Sequence, residues 1–209
     1  MRLSSSQRQF LLQATQEYAT NLHLAEEYLA TRGLSVEEGR QFHLGVVATP
    51  LPSHESYAGR LSIPYITPTG VVDIRFRSIL HQEPKYMGIP GAKTTMFNAQ
   101  AVLVSGDFIC VTEGEIDCIT TVVKTGYPAV GIPGANNWKS FYTKILDDFE
   151  TVIVLADGDN PGLEFGKKVS RELGNVSIIQ MPEGHDVNSI VIKEGKEWLS
   201  DRIRRCVHK

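Results

Sequence analysis

Three acidic segments carry the side chains that could do chemistry. Glu113-Gly114-Glu115-Ile116-Asp117 follows the apolar run Phe108-Ile109-Cys110-Val111, and Asp157-Gly158-Asp159 follows Val152-Ile153-Val154-Leu155-Ala156. Gly184-His185-Asp186 comes shortly after a third run, at residues 176–180. Continuous β-branched runs separated by helical patterns predict parallel strands covered on both faces. Such sheets hold ligands beyond the carboxyl ends of their strands, so Glu113, Asp157 and Asp186 are expected at one rim despite their separation in sequence. Asp117 stands one helical turn after Glu113, where a helix N-terminus favours negative charge. Asp157 and Asp159 are two residues apart on a loop, within reach of one ion or a neighbouring pair. Carboxylates repel one another when crowded unless a cation sits between them, and hard oxygen donors without cysteine suit Mg2+ or Mn2+. A divalent ion in that setting serves phosphoryl or nucleotidyl transfer. One Asp-Gly-Asp alone is commonly a structural turn; three acidic segments, each after a strand, make the stronger case.

Other uses of these residues fail on spacing. An EF-hand loop opening at Asp157 would put Pro161 and Lys168 at ligand positions. The segment from Gly162 to Gly166-Lys167 is one residue short of a phosphate-binding P-loop and lacks its hydroxyl, which argues against an ATP-driven helicase. His185 reads as a surface or hydrogen-bonded loop histidine and is assigned no role. The formal net charge of −3 over 209 residues excludes nucleic-acid binding by bulk basicity, though not through a local patch. Cys110, Cys118 and Cys206 are too scattered for a zinc site, and their lack of pairing fits a reducing compartment. No apolar run approaches bilayer-spanning length, and Met1-Arg2-Leu3-Ser4-Ser5-Ser6 opens no signal-type core, so no membrane partner and a cytoplasmic location are expected.

The elements that must hold the acidic groups fall within residues 106 to 200. Strands are predicted near 108–113, 128–132, 151–156 and 176–180, and helices near 116–125, 138–147, 161–173 and 187–205. Asn160 is expected to cap the third of these helices, with Pro161 in its first turn. Ahead of them, residues 6 to 31 place Phe10, Leu11, Ala14, Tyr18, Leu22, Ala25, Tyr28 and Leu29 near helical spacing, as one or two helices ending at Gly33. Ser35-Val36-Glu37-Glu38 has capping-box spacing. Prolines then punctuate the chain, and Arg60 to Tyr65 and Val71 to Arg77 read as strands joined by the turn Thr67-Pro68-Thr69-Gly70. The expected fold is an α+β N-terminal subdomain, residues 1–104, followed by an α/β domain, residues 105–209. The second is built on a central, mostly parallel four-stranded sheet flanked by helices, and the boundary falls around Ser105-Gly106.

Arg75 and Arg77 share one face of their strand. Over residues 58–97, Arg60, Arg75, Arg77, Lys85 and Lys93 stand against Asp73 and Glu83, with Tyr65, Phe76 and Tyr86 interleaved. Such a surface can track a phosphate backbone. A solvated polar face explains the same composition equally well.

Together the acidic segments resemble the three signatures of the Toprim domain, a module shared by DnaG-type primases, type IA and II topoisomerases, recombination mediators and some nucleases. Asp157 to Gly162 is close to the primase form. Ala25 to Ser35, with Phe42-His43-Leu44-Gly45, is similar to the start of the primase catalytic core. Gly59 to Pro64, Arg75-Phe76-Arg77 and Pro84-Lys85-Tyr86-Met87 are similar to that core's basic ridge. The likeness runs over roughly residues 20 to 195. It implies that residues 105–209 form a Toprim domain in which Glu113 ligates metal or acts as general acid/base. With it, Asp117, Asp157, Asp159 and Asp186 would shape the metal site, and catalysis would rest on Glu113, Asp157 and Asp159. It also implies that Arg60, Arg77 and Lys85, with Arg75 less firmly, contact the incoming nucleotide's phosphates or the template. Asn188 departs from the pattern by standing where a second aspartate is usual, and the basic residue usual after the next block's phenylalanine is missing around Phe97-Asn98-Ala99. Neither a zinc-binding domain nor a trailing helical subdomain is recognisable.

The resemblance thus implies a minimal DNA primase core of phage or mobile-replicon type, in a bacterial or phage-infected cell. It would be a monomer making short RNA primers from NTPs on a single-stranded DNA template, with Mg2+ or Mn2+. A replicative helicase or a separate zinc-binding protein would be its partner. The alternatives are a Toprim nuclease and a non-catalytic, DNA-binding module like the recombination mediators. The latter normally carry a cysteine zinc motif that this sequence lacks, and a topoisomerase would need its tyrosine on a large separate domain.

Overall fold

A capping box opens the first helix: the Gln7 N–H donates to Ser4 Oγ at 3.2 Å, and the Ser4 N–H donates to Gln7 Oε1 at 2.8 Å. The helix, α1, runs Ser5–Ala19. A 3₁₀ turn at Leu22–Ala25 leads into α2, Glu26–Thr31, and Gly33 ends it with φ +63°. The expected long helical segment is therefore two helices and a turn. Ser35 and Glu38 form the predicted second capping box, and α3 follows at Val36–Arg40. The computed structural model describes residues 3–80, 82–92, 95–103, 106–134 and 137–207.

The chain divides into two compact units, residues 1–94 and 95–209. In the first, β1 (Gly45–Val46), β2 (Leu61–Thr67), β3 (Gly70–Arg77) and β4 (Tyr86–Gly88) form an antiparallel sheet in sequence order. The predicted hairpin is β2–β3, with Thr67 opposite Gly70 across a two-residue turn. Leu11, Ala14 and Tyr18 of α1 bury against Val71, Ile74 and Phe76 of β3, the apolar stripe of the helix meeting one face of the sheet.

The second unit is doubly wound around a wholly parallel sheet. Its strands are β5 (Phe108–Thr112), β6 (Ala129–Gly131), β7 (Thr151–Ala156) and β8 (Val176–Gln180), in the order β6-β5-β7-β8. Ile109, Val111, Val152 and Val154 share a core with Leu146, Phe165 and Val169, while the alternate residues Cys110, Ile153 and Leu155 are buried on the opposite face. Both faces are covered, as continuous apolar strands require. The helices are α4 (Glu115–Thr125), α5 (Thr143–Leu146), α6 (Asn160–Glu172), α7 (Val187–Glu194) and α8 (Lys196–Val207). Two helical expectations change. The segment 138–147 is a 3₁₀ turn at Ser140–Tyr142 followed by a single α-turn, and 187–205 is broken at Gly195, whose φ of +88° and ψ of 164° leave the helix. Phe97 bridges Gly131 through two backbone bonds of 2.8 and 3.1 Å, which places the residues from 95 onward with the second unit. Ser105, at the boundary expected from sequence, and Lys93 lie outside the described residues. No described helix is long and apolar enough to cross a membrane.

Candidate functional site

β5 and β7 are neighbours in parallel register, Thr112 opposite Leu155, so the residues leaving their carboxyl ends, Glu113 and Asp157, meet. Glu113 Oε1 accepts the Asp157 N–H at 2.9 Å. Two glycines let further backbone close on this point. A Cβ on Gly162, in the first turn of α6, would stand 2.5 Å from the Asp157 carbonyl oxygen and 2.8 Å from Glu113 Oε1. One on Gly158 would stand 1.9 Å from the Pro182 carbonyl oxygen. With that space free, the Gly158 N–H donates to the His185 carbonyl at 2.8 Å, tying the Asp157 loop to the loop that carries Asp186. The Asp-Gly-Asp loop is thus shaped by close approach of a second loop, a cause that its own sequence does not display.

Each remaining carboxylate is fixed by a backbone N–H. Asp159 is the N-cap of α6 and accepts the Gly162 N–H at 2.8 Å; the cap is Asp159, one residue before the expected Asn160. Asp186 caps α7, accepting the Ser189 N–H at 2.7 Å. Asp117, in the first turn of α4, accepts the Asn188 N–H at 2.9 Å. Asn188 is 1 % exposed, and its amide donates to Thr120 Oγ1 at 2.8 Å. An aspartate here could not donate to Thr120 and would add charge beside Asp117, which accounts physically for the amide.

The electrostatics centre on Asp157. Burial, followed by the charges of Asp117, Glu113, Asp186 and Asp159, pushes its carboxyl up to about 8. Its Oδ1 is buried and has no hydrogen-bond partner. Burial also raises Glu113; the Asp157 N–H opposes that rise and Asp159 adds to it. All five carboxylates expected from sequence therefore act on one point. They do not form a closed cage: among the described residues, no three histidine, cysteine or acidic side chains are grouped to hold an ion between them. The caps and backbone bonds keep them apart. The donor set still fits a hard divalent cation, because Mg2+ keeps several waters and is held through one or two carboxylates plus phosphate oxygens. The unpartnered Asp157 Oδ1, in a field of four anions, is the atom such an ion would relieve.

In the first unit, three guanidinium groups and two rings alternate. Arg32 lies 5.7 Å from the Tyr28 ring centroid, Arg77 lies 5.6 Å from Tyr28 and 4.9 Å from Tyr86, and Arg75 lies 4.8 Å from Tyr86. Arg77 Nη1 also donates to Tyr86 Oη, and Arg77 is 6 % exposed, so like Arg60 it departs from the expected phosphate contact. Arg75 and Arg77 share a strand face as predicted, each reaching the ring that β4 supplies. Tyr28, read from sequence as part of the apolar helix pattern, and Arg32, just beyond α2, were given no site role there; their four-residue spacing on a helix was the available signal. Lys85 is exposed. Arg60 departs from the expected phosphate contact: it is 4 % exposed and its guanidinium donates to the carbonyls of Pro84 at 2.7 Å and Glu83 at 3.4 Å. It braces the approach to β4.

A doubly wound parallel sheet with an acidic carboxyl rim, preceded by a helix-backed antiparallel sheet, defines a primase-type catalytic core ending in a Toprim domain. Residues 110–191 match the Toprim-like family. The Gene 57 protein of Mycobacterium phage D29 is 43 % identical over 152 residues, which are 70 % of this chain and 99 % of that protein. The DNA primase of Thermotoga maritima is 25 % identical over 202 residues, 90 % of this chain but only 34 % of that protein. The RNA polymerase domain of Mycobacterium tuberculosis primase DnaG superposes with a TM-score of 0.76 at 21 % identity, covering 97 % of this chain and 84 % of that one. The chain belongs to one family with the phage D29 Gene 57 protein, carries a Toprim-like segment, and has the fold of the DnaG catalytic core.

Proposed function

We propose that this chain is the catalytic core of a DNA primase, joining ribonucleotides into short primers on single-stranded DNA. The observation that carries the reading is the buried, unpartnered Asp157 Oδ1 at the strand ends, surrounded by Glu113, Asp117, Asp159 and Asp186. Asp157, with Asp159 and Asp186, would hold Mg2+ or Mn2+, which when bound would neutralise charge on the reacting triphosphate. Glu113, raised by burial, is suited to take the proton from the primer 3′-hydroxyl as that oxygen bonds to the α-phosphorus and pyrophosphate leaves. Arg32, Arg75 and Lys85 supply accessible cations, and Tyr28 and Tyr86, held by the buried Arg77, supply ring faces, a combination suited to template and nucleotide phosphates. A helicase or a zinc-binding protein that selects the start site would complete the activity, since this chain corresponds to about a third of a relative named as a DNA primase.

The test is incorporation of labelled NTPs on a single-stranded template with Mg2+ or Mn2+. Extension products are expected from the unaltered chain and none from Asp157→Ala, with its melting profile retained. Near-normal incorporation by that variant would remove the assignment. Cleavage of the template instead of extension would identify a Toprim nuclease, and metal-independent binding without product would identify a non-catalytic module.

A further inference from the structure

The first unit contains a cavity of about 470 Å³ that the proposed chemistry does not use. Phe10, Leu11, Tyr57, Val72 and Ile89 line it, and His54 projects a polar group among them. His54 is 2 % exposed and is ringed by aromatic side chains, with centroids 5.1 Å away for Phe10, 5.3 Å for Tyr57 and 5.3 Å for Phe76. Its tautomer follows from its neighbours. The Leu51 N–H donates to Tyr18 Oη at 3.2 Å, and Tyr18 Oη lies 2.9 Å from His54 Nδ1. Tyr18 is fully buried, so its hydroxyl proton goes to Nδ1, the acceptor that is present. Neutral His54 then carries its proton on Nε2, for which the described residues provide no acceptor. Burial lowers the basicity of His54, in keeping with the neutral ring.

An N–H without a protein partner, on a residue 2 % exposed that lines a mostly apolar cavity large enough for a small molecule, is the arrangement that orients a bound ligand. Asp73 is the one carboxylate on the wall and no Lys or Arg side chain lines it among the described residues, which disfavours anions such as nucleotides. We propose that this cavity binds a small, neutral, largely aromatic molecule whose single hydrogen-bond acceptor, a carbonyl or ring nitrogen, takes the His54 Nε2 proton. The site lies within residues 3–92 and does not depend on the primase reading.

The probe is acetophenone, an aromatic ring bearing a carbonyl, with ethylbenzene as its counterpart lacking an acceptor. The readout is the His54 Nε2–H resonance of the full chain labelled with 15N-histidine. Acetophenone should shift it saturably, and ethylbenzene should bind about tenfold more weakly, the size of one hydrogen bond. Ala92→Trp, a substitution at an exposed residue of the wall, should abolish the acetophenone response while the rest of the spectrum is retained. No saturable shift, equal binding of the two probes, or an undiminished response in Ala92→Trp would each overturn the proposal.

Discussion

Asp157 shows how a residue that the proposed function requires can cost stability. Its carboxyl is pushed up to about 8 by burial and four anionic neighbours, so the cation-free protein gains if that side chain loses its charge. Asp157→Asn should therefore raise stability in EDTA by about 1 kcal/mol or more and lower primer synthesis on the order of 10²-fold. Denaturation midpoints and NTP incorporation read the two effects; a destabilised variant in EDTA would refute the crowding account. His54 gives a separate pH dependence. Burial holds its pKa below 6.5, with Glu55 opposing weakly, so the unfolded chain binds the proton more readily than the folded one. The stability it contributes is complete above pH 6.5 and is lost as pH falls through the folded value. Urea midpoints should decline over that acid window in the wild type and less steeply in His54→Gln. Equal slopes would assign the effect to another group.

At the scale of elements, the acidic residues are also structural, and the two roles can be separated. Asp159 caps α6 through the Gly162 N–H, and asparagine caps as well as aspartate. Asp159→Asn should keep the melting temperature and lose primer synthesis, whereas Asp159→Ala should lose the synthesis and also about 1 kcal/mol of stability. If Asp159→Asn retained full synthesis, the side chain would be a cap only. The sequence announced the four parallel strands within a residue or so, because each short apolar run is bounded by turn residues and is too short for a helix; β8, at the sheet's edge, is only partly buried. It announced the site's rim for the same reason: Glu113 and Asp157 immediately follow two of those strands. What stayed hidden depends on contacts distant in sequence. Nothing local marks Gly158 as the point where the Pro182 carbonyl packs, and Asp159 rather than Asn160 is the cap because Gly162 packs beside Glu113. Arg60 looked like a phosphate ligand, since nothing local reveals that the Glu83 and Pro84 carbonyls take its guanidinium.

For the whole molecule, a formal net charge of −3 repels a nucleic acid at long range, so template affinity has to come from a local face. The accessible candidates are Arg32, Arg75 and Lys85, with Tyr28 and Tyr86 held beside them by the buried Arg77. Phosphate contacts release counterions, each contributing about 0.7 to the slope of log affinity against log salt for a single strand. Three such contacts set the slope at about −2, and Lys85→Ala should reduce its magnitude by about 0.7. Stacking on Tyr86 is nearly independent of salt by comparison. Tyr86→Leu should weaken binding by about 1–3 kcal/mol with little change of slope. Anisotropy titrations of a labelled oligonucleotide over a salt series distinguish the two contributions. A salt-independent affinity, or a Lys85→Ala slope equal to that of the wild type, would place the template on another surface and leave the Arg–Tyr array as a brace between α2 and β3.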